Sequence, residues 1–377
     1  MKQYTPQRSF SKLNTACLVL FLFISLMVSC QSESSSDDTP IIKPDPVEEP
    51  DKTFQLAILP DTQYYTAEKH GGTMEMFENQ INWILDNVEE NNIAYVVHLG
   101  DLVDHGEQAM EEWEKASEVM YKLETTSTKF PDGIPYGIAV GNHDQEPLGN
   151  PEPGGTDKGY NYYFGKDRFK DRAYYGDAYS GSGNTPNNND NHYDLFSANG
   201  DDFIVMYIEY NEPGHEDYNL AIEQEVLAWA GGILANYSNR KAIIVSHSIL
   251  ARHEDSNSIT RPDEGDNSLV GDFTKQGQRL YDYFKNSPNV FMMLSGHRSG
   301  EGYRKDTHNG STIKTFLSDY QSRENQAGER HGGGGLMRTM EFNQTKNTIT
   351  VKTFSPTGST ISYERDSDSN FTVPLFE

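Results

Sequence analysis

The chain is 377 residues long and carries a formal charge of −26, with 57 acidic against 31 basic residues. A surface of that sign repels nucleic-acid backbone and anionic headgroups at long range, so polymeric DNA or RNA is disfavoured as a main partner. The length allows two or three domains and a large core, and two cysteines exclude a disulfide framework or a cysteine metal site beyond the first thirty residues.

Lys2, Arg8 and Lys12 precede an apolar run over 13–28, followed by Ser29 and Cys30. This is the charged-then-apolar layout of an export signal, short for a membrane-spanning helix. The ending Met27-Val28-Ser29-Cys30 resembles a bacterial lipoprotein box. That implies a signal peptide over 1–29, lipidation of Cys30 and anchoring to a bacterial membrane, the outer membrane in particular, on its periplasmic or surface face. The Ser- and Asp-rich stretch that follows is similar to the export tracts of surface lipoproteins in the Bacteroidetes group. Residues 30–52 have almost nothing to bury and read as a solvated tether, with one domain over 53–377.

Residues 53–59 form an apolar strand, ended by Pro60 and then Asp61-Thr62-Gln63. Met76, Phe77, Ile81, Ile84, Leu85 and Val88 recur at helical spacing. The apolar run 93–99 stops at Gly100-Asp101, with Asp104 in the same turn, and so delivers a carboxylate to the lip of a sheet. Met110, Trp113, Ala116, Met120 and Leu123 predict a second helix, and a short strand over 135–140 ends in Gly141-Asn142-His143-Asp144. The resulting β-α-β-α-β pattern is that of an α/β layered fold.

Residues 145–200 read as a long insertion rich in Gly, Asn and Tyr, whose Tyr160, Tyr162, Tyr163, Phe164, Tyr174 and Tyr175 suit either a sugar-facing wall or packing on a sheet. A strand over 203–209, a helix over 220–236 and a strand over 242–245 running into His247 come next. A helix over 277–284 and a strand over 290–294 running into Gly296-His297 follow. The segments 312–317, 336–342 and 348–354 alternate as antiparallel strands do, the last two as a hairpin.

Carboxylate, amide and imidazole thus recur at five strand ends: Asp61 with Gln63, Asp101 with Asp104, Asn142 with His143, His247, and His297. Such donors suit one or two hard or borderline divalent cations. A pair of metals can activate water and clamp a phosphoryl oxygen. A single strand-end histidine is more often structural, and Gly-Asn-His-Asp is the most specific piece.

The set resembles the calcineurin-like metallophosphoesterase superfamily, and Leu59-Pro60-Asp61-Thr62-Gln63 is similar to a bacterial branch with Gln where most members have His. The resemblance spans 54–356. It implies an αββα four-layer fold, two mixed sheets face to face with helices outside and the site at strand C-terminal ends. It also implies a secreted, lipid-anchored enzyme that hydrolyses a phosphomonoester or phosphodiester with two divalent ions, whether Mn, Fe, Zn, Mg or Ca. Asp61 and Gln63 would serve the first metal and Asp101 would bridge both. Asn142, His247 and His297 would complete the second. His143 would contact the phosphate or protonate the leaving oxygen, oriented by Asp104, since a nearby carboxylate favours the imidazolium.

One position departs from the pattern: Ser299 stands where the family has a second metal-binding histidine. The first site then offers only oxygen donors, which either suits Mg²⁺, Ca²⁺ or Mn²⁺ or leaves the site weak. A weak site opens a rival reading, a non-catalytic surface lipoprotein binding a glycan or phosphorylated glycan. His308 or His331 could fill the vacancy, although a solvated role is the commoner fate of such residues. His98 is assigned to the core behind the site and His105 to its rim as a substrate contact. Arg304 and Arg323 are candidates to neutralise a phosphate oxygen, against plain salt bridging.

Overall fold

The strand Thr53–Leu59 is buried on both faces, because Leu56 and Ile58 join one apolar cluster while Ala57 and Leu59 join another. Side chains alternate along a strand, so a continuous apolar run marks a strand covered on both sides. The computed structural model describes residues 52–151, 158–181, 185–252, 271–324, 327–365 and 367–377. The expected signal peptide, Cys30 and the tether up to residue 51 lie outside them. No helix among the described residues is long and apolar enough to cross a membrane.

Two seven-stranded sheets organise these residues. The first runs Ser362–Tyr363, Thr348–Ser355, Met337–Asn343, Thr53–Leu59, Ile93–His98, Tyr136–Ile138, with Asn370–Pro374 also on Thr348–Ser355; the last three strands of the path are parallel. The second runs Gly300–His308, Ser311–Asp319, Val290–Ser295, Lys241–Ser246, Asp201–Ile208, His192–Ala198, Tyr175–Ala178. Its four strands from Ser311–Asp319 to Asp201–Ile208 are parallel.

Phe54, Ile58 and Val97 of the first sheet meet Val205, Val245 and Leu294 of the second in a shared core. Helices Met74–Asn87 and Met110–Met120 cover the outer face of the first sheet through Phe77, Ile81, Trp113 and Met120. Leu220–Asn236 and Lys275–Phe284 cover the second through Val226, Leu234, Leu280 and Phe284. This is the expected four-layer αββα arrangement. Each fully buried side chain of that size contributes roughly 1.5–3 kcal/mol, so these layers outweigh the polar contacts in holding the sheets together.

Two expectations need correction. The stretch 145–200 is not only an insertion: Tyr175–Ala178 and His192–Ala198 are strands of the second sheet. Their polar residues hid them, since Asp194 is buried because it accepts a hydrogen bond from Tyr95. Tyr160, Phe164, Tyr174 and Tyr175 are buried in the core, as packing rather than as a sugar wall; Tyr162 is exposed. The asparagine-rich run is likewise internal, with Asn161 holding Asp190 and Asn191 holding Glu209. The second correction concerns Ser311–Asp319, which is parallel to Val290–Ser295 and antiparallel only to Gly300–His308. The Gly300–His308 strand has Gly, Arg, Lys and Asp where an apolar pattern would announce it, and was not anticipated.

That unexpected strand carries the main ionic link between the sheets. Glu301, almost wholly buried, accepts from Arg338 of the first sheet at 2.5 Å, and also from Thr353 and Ser369. Arg338 fills its other donors with Thr353, Leu317 O and Asp368 O. Removing one partner of such a pair strands a buried charge. Arg338→Met should therefore lower the unfolding free energy by about 3–5 kcal/mol, read as a shifted urea midpoint at unchanged slope. A loss below about 1 kcal/mol, the range of a surface pair, would contradict this.

Candidate metal centre

The C-terminal ends of parallel strands from both sheets open onto one place. Asp61 follows Thr53–Leu59 by two residues, Asp101 follows Ile93–His98 by three, and Asn142 and His143 follow Tyr136–Ile138. His247 directly follows Lys241–Ser246, and His297 follows Val290–Ser295 by two. Asp101 and His297 have φ of 51° and 67°, left-handed backbone that costs a residue with a Cβ roughly 1–3 kcal/mol. Glycines admit the two carboxylates: a Cβ on Gly141 would sit 2.1 Å from Asp101 Oδ1, and one on Gly296 would sit 2.1 Å from Asp61 Oδ1. Asp144 ties the two loops together, accepting from Gly141 N at 2.9 Å and Leu102 N at 2.8 Å.

Among the described residues, one set of three His, Cys, Asp or Glu side chains brings its ligand atoms within 4.8 Å of one another: Asp101, His247 and His297. His247 Nδ1 donates to Leu99 O at 2.8 Å, which fixes the tautomer and leaves Nε2 as the lone-pair nitrogen, 3.1 Å from Asp101 Oδ2. Asp101 Oδ1 accepts from His143 N at 2.9 Å, and Asp61 Oδ2 accepts from His297 N at 3.1 Å. Gln63 Oε1, Asn142 Oδ1, His247 Nε2 and Asp319 Oδ2 are buried without a hydrogen-bond partner. Each such atom costs about 1–3 kcal/mol unless something satisfies it. Orphaned oxygens and one imidazole nitrogen around a carboxylate fit divalent metal.

Electrostatics point the same way. Burial pushes Asp61 well above the usual carboxylate range, and Asp319 and Asp101 push it further. Burial also raises Asp319, to about 6. Burial disfavours the Asp101 charge too, but His247, His143 and His297 hold that carboxyl well below its ordinary value. Burial opposes a charged His247, yet Asp101 and Asp61 lift it to about 10, whereas burial and His247 lower His297 to about 3. Buried carboxylates that neighbouring imidazoles offset only in part stand where a cation belongs.

The remaining candidates divide. His143 Nδ1 donates to the main-chain carbonyl of Asp104 at 2.8 Å, and the Asp104 carboxylate is 3.6 Å away and pairs with Lys69. The carbonyl, rather than the expected carboxylate, orients the ring. His105 lies at the rim, half-exposed, between Lys69 and Glu112. Arg304 forms a two-pronged pair with Asp306, at 2.7 and 2.6 Å, and stacks on Phe273. Arg323 lies between Glu301 and Glu364. Both arginines thus have carboxylate partners of their own, as plain salt bridging would have it. His308 is half-buried and bonds Asn286, and His331 packs against Gly334; neither joins the ligand set. His98 is in the core behind the site, accepting from Gly100 N at 3.2 Å and donating to Thr62 Oγ1 at 3.1 Å.

Two site residues went unread in the sequence. Tyr210 lies 5.2 Å from the His297 ring and borders a cleft of about 640 Å³ that Arg252, Lys275 and Arg298 also line. Asp319, which opens a segment Asp319-Tyr320-Gln321-Ser322-Arg323 resembling the same bacterial branch, was given no role, because the parallel pairing of its strand beside Val290–Ser295 was not visible.

The calcineurin-like phosphoesterase family model matches residues 54–298. The chain belongs to that family. It is also 30% identical over 311 residues to the uncharacterized protein YvnB of Bacillus subtilis, a match that covers 80% of this chain and 20% of that protein. Among solved structures it is similar to GAP50, the anchor in the inner membrane complex of Plasmodium (TM-score 0.46, 11% identity, 84% of this chain and 91% of that one). It is similar too to a dimetal phosphatase from Danio rerio (TM-score 0.46, 13% identity, 85% and 99%).

Burial, with nearby His247, lowers His98 from its ordinary 6.5 to about 3. Between those values the unfolded chain takes up a proton that the fold refuses. The contribution of His98 is therefore full above about 6.5 and is lost as pH falls toward 3. In metal-stripped protein, His98→Gln should flatten the acid side of the stability curve by about 1.4 kcal/mol per pH unit. Parallel wild-type and variant curves from urea melts at pH 4 to 7 would refute it.

Proposed function

We propose that this family member is a metal-dependent hydrolase of phosphate monoesters or diesters, exported and held to a bacterial outer membrane through lipidated Cys30. The observation that carries the catalytic part is the arrangement around Asp101, where His247 presents Nε2 with its other nitrogen occupied and Asn142 Oδ1 has no partner. Asp61, Gln63 and Asp101 would hold one divalent ion, and Asp101, Asn142, His247 and His297 the other. When bound, the ions would polarise the phosphoryl group and supply the nucleophilic water. His143, with its side chain 28% exposed and Nδ1–H fixed on the Asp104 carbonyl, presents Nε2 to the leaving oxygen and in its protonated form donates to it as the P–O bond breaks. Arg252, Lys275 and Arg298 outnumber Glu212 and Asp272 in the lining of the neighbouring cleft of a strongly acidic chain, a balance compatible with an anionic substrate.

Turnover of a bis-aryl phosphate and an aryl phosphate should vanish with a chelator and return with Mn²⁺. Asp101→Ala should lose metal, whereas His143→Ala should retain it and lose turnover by roughly a hundredfold or more. Equal metal loss in both would move His143 into the ligand set. A metal-loaded chain inert toward both substrates would instead support the glycan-binding reading. For anchoring, Cys30→Ser should release the protein from the membrane fraction, and a variant that stays equally attached would refute lipidation there.

A further inference from the structure

Ser299 stands where a second histidine was expected, and its hydroxyl is engaged elsewhere. It accepts from Ser322 N at 3.2 Å and lies beside the Asp319 carboxyl. Asp319 closes Ser311–Asp319, the parallel neighbour of the strand that leads to His297, and is 1% exposed. Its Oδ1 accepts from Gln321 N at 2.9 Å and its Oδ2 has no partner. Gln321 Oε1 in turn takes Gln63 Nε2 at 2.6 Å, which leaves Gln63 Oε1, also buried, without one. Asp319 is moreover near enough to raise the Asp61 carboxyl, as Asp101 is to raise that of Asp319.

We infer that Asp319 replaces the missing histidine as a ligand of the first metal, making that site an all-oxygen one built from Asp61, Gln63, Asp101 and Asp319. Acidic clusters are common without ions, but they lie in water, where solvent satisfies every oxygen. Here a carboxylate oxygen and an amide oxygen are sealed from solvent and unpaired, a state that a cation relieves and a hydrogen-bond network does not. Gln321 acts as a positioning residue: its main-chain N–H bonds Asp319 and its side chain turns the Gln63 amide. Oxygen donors alone select hard ions, Mg²⁺, Ca²⁺ or Mn²⁺, while the two imidazoles of the other site favour borderline ones. The first site is then a different kind of metal site rather than a degraded one.

The inference rests on the two-metal reading, and one titration separates the two. Mn²⁺ is added to the chelator-stripped full chain, followed by calorimetry and by electron paramagnetic resonance. Wild type should take two equivalents and show an exchange-coupled pair. Asp319→Asn keeps the shape and removes the charge; it should keep one tight equivalent, weaken the other by roughly tenfold or more, and show an isolated ion. Mg²⁺ should compete for the equivalent that Asp319→Asn weakens and not for the one it keeps. The stripped variant should melt no lower than stripped wild type, because one of three repelling carboxylates is gone. Two unchanged equivalents in Asp319→Asn overturn the assignment alone. A lower melting temperature with both equivalents lost overturns it in favour of a structural role. A wild-type chain that takes fewer than two ions overturns the two-metal reading, and the assignment with it.

Discussion

The fold forces Asp61, Asp101 and Asp319 into one buried neighbourhood, and much of the rest of the centre answers that electrostatic demand. Like charges in a low-dielectric interior repel, and main-chain hydrogen bonds return only about 1 kcal/mol each. The fold supplies partial relief through main-chain donors, His143 N to Asp101 and His297 N to Asp61. These devices leave four buried ligand atoms unpaired, so what completes the centre must carry positive charge and accept several lone pairs at once. A divalent cation does both.

Holding such a centre requires parts that do not touch it. Asp101 is reached through left-handed backbone, and that geometry persists because Asp144 clamps the Asp101 loop to the Asn142 turn and His98 bonds Gly100 N. At the other sheet, the buried Arg338–Glu301 pair anchors the segment just beyond Asp319, where Tyr320 donates to Glu301 at 3.1 Å. An ion pair in the apolar interior is a weak source of net stability. Here it fixes where Asp319, Tyr320 and Gln321 lie relative to the first sheet, and so to Asp61 and Gln63.

The polar stretch between residues 145 and 200 does similar work on the opposite flank. Its asparagines saturate Asp190 and Glu209, and Glu209 directly precedes Tyr210, the aromatic wall beside His297. A segment whose composition suggests a solvent-exposed recognition loop thus serves largely to bury carboxylates and to complete the second sheet. This removes most of the aromatic surface that a glycan-binding role would have needed.

The sequence by itself determined the α/β order, the strands that lead to Asp61, Asp101, Asn142, His247 and His297, the helix carrying Phe77, Ile81 and Ile84, and the helix over 220–236. It could do so because strands buried on both faces are continuous apolar runs and amphipathic helices repeat at three and four, both properties of neighbouring residues. Only the tertiary structure decided what depended on partners distant in the chain. Gly300–His308 carries its buried Glu301 against Arg338, and His192–Ala198 carries Asp194 against Tyr95, so neither looks apolar alone. Missing the first of these reversed the apparent direction of Ser311–Asp319 relative to its neighbours. A parallel strand brings its C-terminal end to the centre where an antiparallel one would have turned it away. Whether position 299 is a vacancy was therefore unreadable from the motif, because the carboxylate beside it comes from another strand, twenty residues later.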